Sequence, residues 1–204
     1  MISLANYIYE AKEPTFTKDL EGITAFCEYV FDEQFTKWVV NPDLSITLTP
    51  AGRSNIMYMD TKELKEIPDF IVFSGVENVK IGCGIGSDCK VNVWKPRVNG
   101  YCQGIVLQGR PKATELDLSE CEIRGGILCI EDTGIKSIVG AHGEGVQVYI
   151  MKNKKLESVD LKNISSCTNG SWLSKNKKLE VKPSDLPKGI RVEKNAQNKK
   201  IYIS

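Results

Sequence analysis

The apolar positions change period twice along the first third of the chain. Behind Ser3, the residues Leu4, Tyr7, Ile8 and Ala11 fall at i, i+3, i+4 and i+7. That is one face of a short amphipathic helix with an N-cap, and Pro14 closes it because the residue before a proline avoids the helical region. Leu20, Ile23, Cys27 and Val30 repeat at three and four and predict a second helix over about 18–34. Beyond it the period falls to two. "KWVV" and the alternation Leu44, Ile46, Leu48 predict half-buried strands on either side of Asn41-Pro42-Asp43, and "NIMYM" predicts another. Asp60 and Glu63 are spaced for a reciprocal cap on a brief turn through Leu64, ended by Pro68.

From about Phe70 the pattern becomes a repeat. "NKKLE" stands at 153–157 and again at 176–180, and the apolar anchors Ala113, Ile135, Leu156 and Leu179 recur every 21 to 23 residues. A strand-like stretch precedes each anchor: "KVNVW", "GILCI", "VQVYI" and "SWLS". Two short apolar strands separated by Gly, Asn or Asp turns cannot enclose a core alone, but stacked on their neighbours they can. The expectation is a mainly β chain with an α-helical N-terminal part, its body an irregular leucine-rich-repeat-like or parallel β-solenoid of 21–23-residue coils. Matching Val76-Glu-Asn-Val79-Lys-Ile81 to Ala113-Thr-Glu-Leu116-Asp-Leu118 makes the first interval long and turns "WKPRVNGYCQG" into an insertion. The organisation that follows is an amphipathic peptide at 1–14, an α+β cap at 15–68 and coils over 69–204. "KGIRVEKNAQNKKIYIS" would supply the last strands and a lysine-rich cover for the end of the stack.

Composition narrows the setting. No apolar run approaches the roughly 18 residues of a membrane span, and no basic segment precedes an apolar one at the N-terminus. Neither a membrane partner nor Sec-type export is expected. Seven scattered cysteines suit reduced, buried thiols in a cytosolic setting better than a disulfide framework. Charge is uneven, with 13 Lys+Arg against 5 Asp+Glu from Gly145 onward and 14 against 21 before it. The pairs Lys154-Lys155, Lys177-Lys178 and Lys199-Lys200 recur at the coil period, in the region of Trp172 and Tyr202. They predict a basic stripe for an anionic partner, of which nucleic acid is one kind. Lysine also keeps sheet edges soluble, which is the competing role for the same residues.

Catalytic chemistry is sparse. His142, in "GAHGEG", is the only histidine, which leaves no His-based metal cluster and suggests a loop residue between two glycines. Cys83 and Cys89 are separated by five residues, wider than a zinc knuckle, and "GCGIG" has the spacing of neither a dinucleotide fingerprint nor a P-loop. Asp117 and Asp160 occupy matching repeat positions and, with Glu131 and Asp132, are the carboxylates that a polysaccharide-cleaving β-helix would use. The apolar neighbours of Asp117 and Asp160 mark those two instead as outward-facing strand residues. No catalytic, cofactor or metal site is expected.

"LCIEDTGIKSIVG", "NKKLESVDL" and "NKKLEVKPSDLP" resemble the short leucine-rich-repeat-like solenoids of phage and bacterial proteins, over roughly 64–195. A three-stranded β-helix is the related alternative. The opening "MISLANYIYEA" resembles the capsid-targeting peptides of internal head proteins in T-even-like tailed phages. That resemblance implies cutting by a prohead protease, with Ile8-Tyr9-Glu10 as recognition sequence and the bond between Glu10 and Ala11 as its target. Together the resemblances imply a non-enzymatic phage protein acting through protein contacts, in the virion or the host cytoplasm. Its partner would be a phage structural protein or a host factor, and no cofactor is implied. The rival classes are a carbohydrate-active parallel β-helix protein and a basic nucleic-acid-binding module.

Overall fold

In the computed structural model, residues 14–61, 64–83, 91–109 and 113–193 are described. Asp19 starts helix α1 (Leu20–Val30) by accepting the Gly22 amide at 2.7 Å. Ile23, Phe26, Cys27 and Val30 form its buried face, and extended backbone at Phe31 ends it short of the predicted 34. Strands β1 (Thr36–Val40) and β2 (Ile46–Pro50) make an antiparallel hairpin across the Asn41-Pro42-Asp43 turn. The next strand, β3 (Ile56–Met59), leaves the hairpin, and β4 (Phe73–Ser74) returns to pair with β2 in parallel.

The remaining strands stack in parallel on three faces. The long sheet runs from β3 through β5 (Lys80–Cys83), β7 (Tyr101–Gln108), β9 (Glu122–Glu131), β12 (Gln147–Met151) and β15 (Ser171–Ser174) to β16 (Ile190–Glu193). A second face carries β6 (Val93–Trp94), β8 (Glu115–Asp117), β10 (Ser137–Val139) and β13 (Ser158–Val159). The third is made by the N-terminal ends of β7 and β9 with β11 (His142–Glu144) and β14 (Asn163–Ile164). The chain is mainly β, a parallel β-solenoid of about six turns, as the repeat predicts.

Register corrects one expectation. On the second face Val93, Glu115, Ser137 and Ser158 are direct neighbours, separated by 22, 22 and 21 residues. The anchor preceding Ala113 is therefore the fully buried Val91, not Val76, and "WKPRVNGYCQG" belongs to an ordinary coil. Its Trp94 lies in β6, Val98 bridges to Phe73, and Tyr101 begins β7. Val76 sits instead at the entry to β5, where the Val79 amide closes a turn onto its carbonyl at 2.9 Å. Each coil likewise has three strand segments where the pattern showed two. The cap and the coils also share a sheet, since β3 is the first strand of the long one.

Inside the stack, alternate residues of successive strands form rows. Met57, Ile81, Ile105, Leu128 and Val148 are one such row, and each is fully buried. Ala113, Ile135 and Leu156 fill the opposite side. Each large aliphatic side chain in these rows contributes about 1.5–3 kcal/mol. Along the third face and its junction with the long sheet the backbones come so close that a Cβ on Gly126 would fall on the Gln103 carbonyl, and one on Gly143 would fall on that of Ile123.

A polar ladder holds the corner between the long sheet and the second face. There Asp132, Lys152 and Lys175 adopt left-handed backbone, with φ of 51°, 60° and 57°. The next residue in each coil, Thr133, Asn153 or Asn176, turns inward and is buried. The Asn153 carboxamide oxygen accepts the Thr133 amide at 2.9 Å and its hydroxyl at 2.7 Å, while its nitrogen donates to the Ile130 carbonyl at 2.9 Å. Asn176 repeats the device one coil on, accepting the Asn153 amide at 3.0 Å and donating to the Ile150 carbonyl at 2.7 Å. Asn153→Ala strands several of these buried groups, and a loss of about 3 kcal/mol is expected in urea unfolding. Lys154→Ala, one residue on at the exposed surface, is expected to stay within about 0.5 kcal/mol of the parent.

Candidate binding surfaces

The inward rows of the long sheet fix what faces outward. Tyr58, Gly82, Val106, Cys129, Tyr149, Trp172 and Arg191 are successive register neighbours on the outer side. The Tyr58 ring lies against Gly82, where an added Cβ would meet its carbons at 3.1 Å. Val106 and Cys129 are only 3% and 9% exposed although they face out of the solenoid. Farther along the row, the Tyr149 hydroxyl accepts from Gln147 Nε2 at 3.0 Å. The Arg191 guanidinium lies 5.4 Å from the Trp172 ring centroid. Burial pushes the Tyr58 phenol and the Cys129 thiol above their ordinary values. Sequence reasoning missed this aromatic and apolar row. Its signal was present in the 23-residue separation of Tyr149 and Trp172 between strands whose neighbouring residues are buried.

Next to this face stands the lysine corner. Lys152, Lys154, Lys155, Lys175, Lys177 and Lys178 are all exposed on two successive turns, stacked by the Asn153–Asn176 ladder. Lys152 bonds Glu131 at 2.6 Å, which raises the lysine's pKa, and Lys178 lies 3.5 Å from Glu157. The structure thus brings together the lysine pairs at 154–155 and 177–178. Lys199 and Lys200 lie outside the described residues, as do Ile8, Glu10 and Ala11.

Asp117 and Asp160 do occupy equivalent positions, with Val139 on the strand between them. Two strand spacings separate them, about 10 Å. Each makes a turn: Asp117 accepts the Ser119 amide at 2.9 Å and Asp160 the Lys162 amide at 3.4 Å. Burial alone would raise the Asp117 pKa, but the Ser119 bonds and Lys95, 3.4 Å away, hold it below the ordinary value. Lys95 also bonds Glu120 at 2.6 Å, with Arg97 on the other oxygen at 3.2 Å. The lysine hydrogen bond draws the Glu120 carboxyl below its usual range. Asp117 and Glu120 are thus held ionised, the opposite of what a general acid requires.

His142 begins β11, on a strand and not in the expected loop, beside Glu122. Its Nδ1 lies 2.9 Å from the Gly140 carbonyl, and the ring lines a shallow depression of about 340 Å³ with Arg97, Glu120 and Glu122. Arg124 engages both oxygens of Glu122 at 2.8 and 3.1 Å and lies 4.9 Å from the Tyr101 ring centroid. Cations thus neutralise both carboxylates of that depression. Among the described residues, no group of three or more His, Cys, Asp or Glu side chains is placed to hold a metal ion, and no helix is long and apolar enough to cross a membrane.

The Lys95 cluster sets a pH dependence. Glu120 has a lowered folded-state pKa, so its contribution is present above the unfolded carboxyl range and is lost as pH falls through the folded value. Lys95→Met removes the cause. Its stability deficit relative to the parent is expected at neutral pH and should shrink as pH falls through the carboxylate range, measured by urea midpoints across that range. No family model, curated protein or solved structure matches the chain.

Proposed function

We propose that this is a non-enzymatic binding protein that engages a protein partner through the outer side of its long sheet and the lysine corner beside it. The observation that carries this reading is the continuity of the two surfaces. Tyr149 and Trp172 are neighbours in the outward row, and Met151 leads from that sheet directly to Lys152 at the corner. Aromatic residues and methionine are the types enriched at the centres of protein interfaces, while lysine is depleted there and suits a rim. The partner implied is a protein with an apolar patch and an acidic margin.

The phage part of the reading rests on sequence likeness. Residues 1–11 resemble a capsid-targeting peptide, and the coils resemble leucine-rich-repeat-like phage solenoids. On that basis the protein acts in the virion or the host cytoplasm, against a phage structural protein or a host factor.

Capture from infected cells on the immobilised full chain, read by mass spectrometry, tests the surface. Trp172→Ala should weaken retention of the captured protein by about 30-fold, the size of a central aromatic anchor. Reversing Lys154, Lys155, Lys177 and Lys178 to Glu should mainly slow association and reduce its salt dependence. Asp160→Ala should leave binding unchanged. Retention indifferent to Trp172, or retention of nucleic acid alone, would overturn the assignment. For head packaging, the chain recovered from purified particles is expected to begin at Ala11. An intact N-terminus in those particles would remove that branch.

A further inference from the structure

Cys102, in β7, and Cys121, just ahead of β9 on the next coil, are both fully buried, and their sulfurs lie 3.5 Å apart. Backbone contacts hold the pair in place. Cys102 is the register neighbour of Ile123, and the Cys121 amide closes a turn onto the Leu118 carbonyl at 3.1 Å. The Cys102 sulfur also lies 3.6 Å from the Gly104 carbonyl. A disulfide needs the sulfurs to approach to about 2.05 Å, a further movement of about 1.5 Å.

The chain next to this pair is also where the β7–β9 ladder is interrupted. Pairing is regular from Gly104 opposite Ile127 onward, but it shifts between Cys102 and Gly104. On the facing strand the interruption holds Arg124, Gly125 and Gly126, and Gly125 has a φ of 57°. A break in the ladder beside a buried dithiol is a place where the coil can open locally without global unfolding.

We propose that Cys102 and Cys121 are a redox-switched staple between two coils, open while small-molecule thiols predominate and closed by a small-molecule disulfide when they do not. On local opening, the Cys102 thiolate attacks one sulfur of the small disulfide, forming a mixed disulfide and releasing one small thiolate. The Cys121 thiolate then attacks the protein sulfur of that mixed disulfide and releases the second. Two protein thiols are oxidised to one disulfide, one small disulfide is reduced to two thiols, and the two protons pass to the released thiolates. Because the closed bond ties neighbouring coils, it opposes separation of the stack at that point.

Oxidised glutathione added to the reduced full chain, in buffer and in urea below the unfolding transition, tests the switch. The protein mass is expected to fall by about 2 Da, with a single new cross-linked peptide joining Cys102 to Cys121. The thermal midpoint should rise by several degrees and return on reduction. Cys121→Val should abolish the cross-link and the shift together. If that variant does not fold, the peptide map of the native chain decides alone. The proposal is overturned if both thiols stay free in buffer and in sub-transition urea. It is equally overturned if a different cysteine pair links, or if glutathione stays attached as a mixed disulfide without closure.

Discussion

In the coils, main-chain amides and carbonyls point along the stack, so the strands of one coil find their hydrogen bonds in the coils above and below. The ladders from Ile56–Lys80 through Ser171–Ile190 follow from that one requirement. It explains the inward rows, because exact stacking puts like positions over like. It also explains the asparagine ladder. A corner leaves groups such as the Thr133 amide beyond the strand ladders, and a buried carboxamide accepts from that amide while donating to the Ile130 carbonyl near the strand's end.

Among the described residues no coil lies beneath the first, and a different element stands at that end. α1 and the β1–β2 hairpin lie at that end, with Phe16 edge-on to Phe26 at 5.4 Å and Phe31 edge-on to Phe73 at 6.4 Å. Phe73 belongs to the β4 strand that pairs with the hairpin and bridges to Val98 in a coil. The apolar core therefore passes without a break from α1 into the solenoid.

The legible parts of this fold were those with a sustained period. Ala113, Ile135 and Leu156 announced the coils, and the lysine pairs at 154–155 and 177–178 announced a stacked basic corner. The first register was misread because Val-x-x-Val at 76–79 imitates an anchor while serving a different corner, and hydrogen bonding, not local pattern, separates the two. The third face escaped for a related reason. Its inward positions include Ile123, Gly143 and Ile164, one per coil, so no alternation accumulates. The aromatic row on the long sheet was hidden by excess apolarity, since "VQVYI" and "SWLS" read as short apolar strands with no outer side marked, whereas Tyr149 and Trp172 face outward. Ile8, Glu10, Ala11, Lys199 and Lys200 lie outside the described residues, and the structure adds nothing to their reading.

The corner lysines also show how stability and surface chemistry compete in a stacked chain. Lys152 and Lys175 hold left-handed backbone, where an L-residue with a Cβ is disfavoured by about 1–2 kcal/mol. Gly109, which follows the Gln108 register position two coils before Lys152, also has positive φ, at 85°, without that cost. Each neighbouring Asn is a packing requirement of the corner, but the lysine before it is not, because its side chain is exposed. What lysine adds at these two positions is charge beside the outward face of the long sheet. At Lys152 that charge is set against Glu131 of the preceding coil, 2.6 Å away, so the strained position also carries an ion pair along the stack, while Lys175 stands exposed one coil on.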